Sequence, residues 1–382
     1  MAQGSNTTFP WFAQTLEQNQ GWKVDATTVV LLTLLGDRRS EEFNRAATAS
    51  PLILLPRLAP AMQLLNAPRP DKLPNTTTDL KMLDMASGVT LKEVGYFVDT
   101  LHDFSSHEIY SFRVLEVKHR QPQPSPIRPS LLVNSILIFL FILTLVLVLI
   151  VSLRKDGPAL LAITLMGLAS SIIGYANSWE LHHLPSLPSH SNPTQLITRI
   201  FRTPQFGILI IKYSPSVDLE FYGNFLQTQY YRVSIGPLYG LLMALGHITL
   251  MASVIMLSNA SWQSQVMIAA AYVVLNVLYW GVTLLPKRLL WDLRGRFEVR
   301  DVTPWDHSRG EVEDGWVRMV WLAIREVGVE KWAEGWGYGV EERVWREWVG
   351  EAGKAVKRGE RGWKGVERLR ELEREMRGEK TG

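Results

Sequence analysis

The chain has 382 residues, with 40 Lys and Arg against 37 Asp and Glu and no cysteine. A formal charge of +3 over that length lacks the clustered basic face that nucleic-acid binding requires. The absence of thiols excludes disulfides, thiolate nucleophiles, Cys-ligated metals and palmitoylation.

The first eight residues lack the charged start and apolar run of a secretory signal, and Met1-Ala2 is not a myristoylation start. The first membrane span is therefore expected to act as an uncleaved signal anchor. Residues 1–120 read as a partly folded, small mixed α+β region. Residues 27–35 are too short to cross a bilayer, and 51–65 carry Pro51, Pro56, Pro60 and Arg57, so neither is expected to span. Thr90 to Glu93 matches a capping box and opens the stripe Leu91, Val94, Val98, Leu101, which predicts a helix. Alternation over 108–117 places Tyr110, Phe112 and Val114 on one face and predicts a strand. Four prolines in 121–129 make residues 121–130 an extended linker.

Four apolar segments follow as two close pairs, 131–153 with 158–179 and 236–257 with 263–285. None contains Asp, Glu, Lys or Arg, and each has the ~20 residues that cross ~30 Å of hydrocarbon as a helix. They predict two transmembrane hairpins, 131–181 and 236–286. Eleven basic residues flank the side carrying the ends and the 182–235 loop, against Arg154 and Lys155 on the other, which places both termini in the cytoplasm. Asn259-Ala260-Ser261 is an N-glycosylation sequon on the opposite side, close against the bilayer. Helical spacing predicts bundle-interior faces of Thr164, Gly167, Ser171, Tyr175 and Ser178 on the second span, and Gly236, Gly240, Ala244 and His247 on the third. On the fourth it predicts Tyr272, Asn276, Tyr279 and Thr283. The first span has no polar stripe and is expected to be the most lipid-exposed. His247 and Asn276 are the costliest polar groups at depth: either His247 bonds a partner such as Asn276 or Tyr272, or the two line a path.

The central loop reads as β-like at 207–212, with a turn at Ser214-Pro215-Ser216 that could return it along 217–221 as a hairpin. The tail, 287–382, holds nine of the fourteen tryptophans with 21 basic and 20 acidic residues. Its apolar residues follow helical spacing at Trp316 to Val327, Trp345 to Val356 and Trp363 to Met376. Two readings stand: interfacial helices on anionic lipid, or a helical tail packed on itself or on the central loop. Mixed charge and five glycines between 350 and 365 favour the second.

His182, His183 and His190 do not match the multiple His boxes of membrane di-iron enzymes. No P-loop, GxGxxG, HExxH or GxSxG occurs, so no catalytic, metal or cofactor site is expected. The stretch 156–292 resembles an uncharacterised multi-span membrane protein family of filamentous ascomycete fungi. The likeness is carried by Asp156-Gly157-Pro158-Ala159-Leu160, Ser170-Ser171-Ile172-Ile173-Gly174, Ala270-Ala271-Tyr272 through Tyr279-Trp280, and Trp291-Asp292. It implies a fungal source and four spans, and no activity.

The fold class expected is mainly α: a four-span transmembrane helical bundle with a mixed N-terminal region, a β-like central cytoplasmic loop and an amphipathic helical tail. Its expected partner is the lipid bilayer of the plasma membrane or an endomembrane, with no nucleic acid. The expected role is that of a non-enzymatic scaffold or sensor. The alternative is a small-molecule or ion transporter using His247 and Asn276, which with only four spans would work as a homo-oligomer. A membrane-embedded enzyme ranks last.

Overall fold

The computed structural model describes residues 41–58, 69, 73–74, 80–85, 88–120, 127–181, 196–222, 229–304, 315–360 and 362–378. In chain order these form α1 (Glu41–Thr48), β1 (Lys81–Asp84), β2 (Thr90–Leu91), α2 (Tyr96–His102), β3 (Phe112–His119), α3 (Leu131–Leu153) and α4 (Gly157–Ala176). Then come β4 (Trp179–Leu181), β5 (Ile197–Arg202), β6 (Ile208–Tyr213), β7 (Gln229–Tyr231), α5 (Pro237–Ser258), α6 (Trp262–Thr283), β8 (Phe297–Asp301), α7 (Gly315–Val327), α8 (Glu342–Lys357) and α9 (Gly365–Met376). The chain divides into two units, each assembled from three stretches: a helical unit of 1–71, 126–182 and 228–293, and a sheet unit of 72–125, 183–227 and 294–382. The single N-terminal region expected over 1–120 is thus split between them.

In the helical unit, α3, α4, α5 and α6 are long and apolar enough to cross a membrane. The second ends at Ala176 rather than at 179, because Trp179 already opens β4, which pairs with β7. Start signals are local. Ser130, Asp156 and Ser261 cap α3, α4 and α6 by accepting from Val133 N, Ala159 N and Ser264 N. Asp156 does a second job: its Oδ2 accepts from the backbone N and Oγ of Ser261 at 3.0 and 2.6 Å, tying one short connector to the other. The helix α4 is central, 56 % buried, against 33 % for α6 and 28 % each for α3 and α5. The first span is therefore no more exposed than the third.

The sheet unit is built on a six-stranded sheet of order β2-β1-β5-β6-β3-β8, in which β3 and β6 run parallel and the other pairs antiparallel. The run Ile208-Leu-Ile-Ile is buried on both faces, as a central strand with helices above and below requires. On one face Ile208 and Ile210 meet Trp316, Val320, Trp345 and Trp348 of α7 and α8. On the other, Phe104 stacks on Phe201 at 5.1 Å and Tyr213 on Tyr222 at 4.2 Å. Helix α7 lies on β3 and β6, and α8 and α9 pack on α7 and on each other, as the second reading of the tail has it. Tryptophan suits the site because its large apolar body fills the layer while Nε1 reaches a carbonyl: Trp316 to Trp336 O, Trp345 to Ala333 O and Trp348 to Gly365 O, each at 2.7 Å.

Two local expectations fail here. The antiparallel partner of β6 is β5, which precedes it, while the stretch expected to return forms a short helical turn, Pro215–Val217, and a π turn, Asp218–Tyr222. Thr90 opens no helix; it pairs in β2, and the helix begins at Tyr96 after Gly95. In each case long-range strand pairing overrides a local signal.

The π turn is pinned by buried ion pairs. Arg199 Nη2 lies 2.9 Å from Asp218 Oδ1 and its Nη1 donates to Tyr222 O at 2.8 Å, while Arg296 pairs with Glu220. The Tyr222 hydroxyl meets His102 Nε2 at 2.6 Å. Burial, with His107 adding to it, pushes the His102 imidazole down to about 3, so it is neutral in the folded chain. The unfolded chain takes up that proton near pH 6.5. Acidification from about pH 6.5 to about 5 should therefore cost the folded state ~2 kcal/mol through this group, and His102→Gln should flatten that slope in a pH series of thermal melts.

Candidate functional site

Backbone that is not helical can sit at hydrocarbon depth only where protein satisfies its polar groups. The segment 50–58 meets that condition inside the helical unit. Pro51 and Pro56 bar a continuous helix, so the chain makes one 3-10 turn, Pro51–Leu54, capped by Ser50 Oγ accepting from Leu52 N, and then runs extended. Arg57 N donates to Ser170 Oγ of α4 at 3.2 Å and Leu58 N to Thr144 Oγ1 of α3 at 3.1 Å. Ser50 Oγ donates to Asn134 Oδ1 of α3 at 2.8 Å. Two glycines on one face of α4 make room: a Cβ at Gly174 would fall 2.9 Å from Ile53 O, and one at Gly167 would fall 3.1 Å from Pro56 Cβ.

The insertion is deep. Thr144 lies about 20 Å along α3 from Leu131, at ~1.5 Å per residue, near the middle of that 23-residue helix. Described residues on either side of it, Thr48 and Arg69, lie at one end of the unit. Trp179 Nε1, just past α4, donates to Thr48 Oγ1 at 3.0 Å. Arg69 is sandwiched by Tyr231 and Tyr239, 3.8 and 4.2 Å from their ring centroids. Residues 50–58 enter the bundle from that end.

At its deep end sits the unit's most unusual side chain. Arg57 is 8 % exposed. Its Nη1 donates to Ile53 O at 2.9 Å, and the guanidinium also hydrogen-bonds the Tyr279 hydroxyl of α6. Nε is buried without a partner. Phe43 of α1 packs edge-on against the Tyr279 ring at 5.2 Å. Among the described residues no carboxylate pairs with Arg57. Glu42 is spent on Arg45 at 3.2 Å and Lys287 at 3.8 Å.

The residues expected at the bundle interior divide. Tyr272 and Tyr279 are buried, and the Tyr272 hydroxyl reaches Met166 Sδ at 3.3 Å. Ser171 is half-buried and turns back on Gly167 O at 3.1 Å, while Tyr175 is 41 % exposed. Of the stripe expected on the second span, Gly167 and Ser178 are buried and Thr164 is exposed, and the buried face of α4 also takes in Ala162, Met166, Ala169, Ser170 and Ile173. On α5 the buried stripe runs through Gly246, Leu250, Ser253 and Leu257, and Gly240 and Ala244 face outward. His247 Nδ1 bonds Met243 O at 2.6 Å, and Asn276 Nδ2 donates to Tyr272 O at 2.6 Å, each on its own helix. The His247–Asn276 pair does not form. Asn259 closes α5 and donates to Ile255 O at 2.7 Å, while its sequon partner Ser261 is held by Asp156.

Sequence reading passed over Ser50, Arg57, Thr144 and Ser170. The signal was present: an apolar run with prolines at 51, 56 and 60 and a single Arg57 is too broken to span and too apolar for a surface loop. No family model, no curated protein and no solved structure matches the chain.

Proposed function

We propose that the protein is a multi-pass membrane scaffold that presents one folded domain on a single face of the bilayer, the cytoplasmic one. One observation carries this reading. Strand β3, which precedes the first apolar helix, bonds on one side to β6, from between the second and third, and on the other to β8, after the fourth. Three chain segments share a sheet only if an even number of crossings separates them. Two hairpins satisfy that requirement, and an odd count between any two of the segments would break the sheet apart. The excess of basic residues beside these segments supports the cytoplasmic assignment. The fungal four-span resemblance over 156–292 fits the same architecture and assigns no activity. Transport through His247 and Asn276 draws no support from their geometry, since each bonds its own helix.

The absence of cysteine makes the test direct. Single cysteines at Lys118, Ser216 and Arg343 should react with an impermeant maleimide only after sealed cells are opened, while one at Lys155 should react from outside. Asn259 should show no endoglycosidase shift. Labelling of Lys118 and Arg343 positions from opposite sides would end the shared-face reading, and release of the protein by carbonate would end the integral-membrane one.

A further inference from the structure

We infer that Arg57 is the binding group for a small monovalent anion held inside the helical bundle, an inference that rests on the four-span reading. A guanidinium keeps its proton at any physiological pH, so burial cannot be relieved by neutralisation. Its two acceptors, Ile53 O and the Tyr279 hydroxyl, satisfy hydrogen bonds but carry no charge. An uncompensated ion in a low-dielectric interior is strongly unfavourable.

The usual escape, stretching the head group out to water, is closed off. The Arg57 backbone is fastened to Ser170, the next residue to Thr144, and Pro56 lies against Gly167. What remains is a counter-ion that no carboxylate among the described residues supplies. The unpartnered Nε is the donor left for it. One positive charge and one N–H without a partner suit a chloride-sized monovalent ion. A divalent oxyanion would leave excess negative charge and unsatisfied oxygens. Ser50 and Asn134, bonded to each other near the start of α3, form the polar step between Arg57 and the end of the bundle where the chain enters.

The full chain in lipid nanodiscs tests this through its own tryptophan fluorescence. Thermal midpoints are read while sodium chloride replaces sodium gluconate at constant ionic strength. The wild type should gain stability with chloride and saturate in the millimolar range. Arg57→Met should show no saturable gain. Arg57→Lys, a point charge without the planar fork, should need about ten times more chloride to saturate. A wild-type midpoint indifferent to the anion overturns the proposal, as does an equal gain in Arg57→Met. If Arg57→Met does not fold, an unchanged saturation point in Arg57→Lys overturns it. A protein that carbonate releases from membranes fails the scaffold reading instead, which keeps the two outcomes apart.

Discussion

Gly246→Leu should abolish assembly of the helical unit. A Cβ at Gly246 would lie 2.4 Å from Ile173 Cγ1 and 2.8 Å from its Cδ1, at the contact of α5 with the central helix α4. Ile173 is 2 % exposed, and a β-branched side chain in a helix has essentially one rotamer, so it cannot swing aside. Even Gly246→Ala forces the helices apart and should cost about 1–3 kcal/mol. Between helices in lipid no hydrophobic gain offsets the lost contact, because tails and side chains are equally apolar. Size-exclusion profiles in mild detergent should show Gly246→Leu as aggregate and Gly246→Ala as monodisperse with a lowered thermal midpoint. Ile173→Ala in the Gly246→Ala background should recover most of that loss, since the two positions share one contact. A Gly246→Ala protein that melts like wild type, with no coupling to Ile173, would show that the α4–α5 packing is drawn wrongly.

In the sheet unit the largest loss is expected from Trp348→Ala. The residue is fully buried, stacks on Trp345 at 4.8 Å, meets the tilted Trp363 ring at 5.7 Å, and donates to Gly365 O. Removing a buried indole costs about 3–5 kcal/mol through lost contacts and the cavity left behind, a large fraction of a total that runs near 5–15 kcal/mol for whole domains. The tail should then become sensitive to limited proteolysis while the helical unit still resists. Trp348→Phe separates the two contributions. It keeps most of the ring contact and strands the Gly365 carbonyl, for an expected loss of about 1–3 kcal/mol. Trp332, only half-buried and bonded to Val329 O three residues away, serves as a control whose truncation should cost little.

Some of this architecture is readable one residue at a time. A stretch of ~20 apolar residues between caps is a one-dimensional property, so Leu131–Leu153 was legible to the residue and the other three to within a few. The tail helices were legible for a similar reason: in water an apolar stripe against a charged face marks the buried side, and Trp345, Trp348 and Ala352 do face the core. Within the spans that signal is weak. Lipid and protein interior are both apolar, so the sequence of α4 does not say whether Ser170 or Ser171 faces in. Its rotation is set by Pro56 and Ile53 seating against Gly167 and Gly174.

By itself, then, the sequence determined the number of apolar helices, their pairing through short connectors and the amphipathic tail, because each of these depends on neighbours within a turn or two. Only the tertiary structure decided that β3 would be flanked by strands from either side of the second helix pair, that Asp218–Tyr222 would form a π turn rather than a strand, and that 50–58 would enter the bundle with Arg57 near its tip. Those outcomes depend on contacts between residues about a hundred positions apart, such as Arg57 with Ser170. Loop-closure entropy is lost before such contacts form and local spacing carries no record of them.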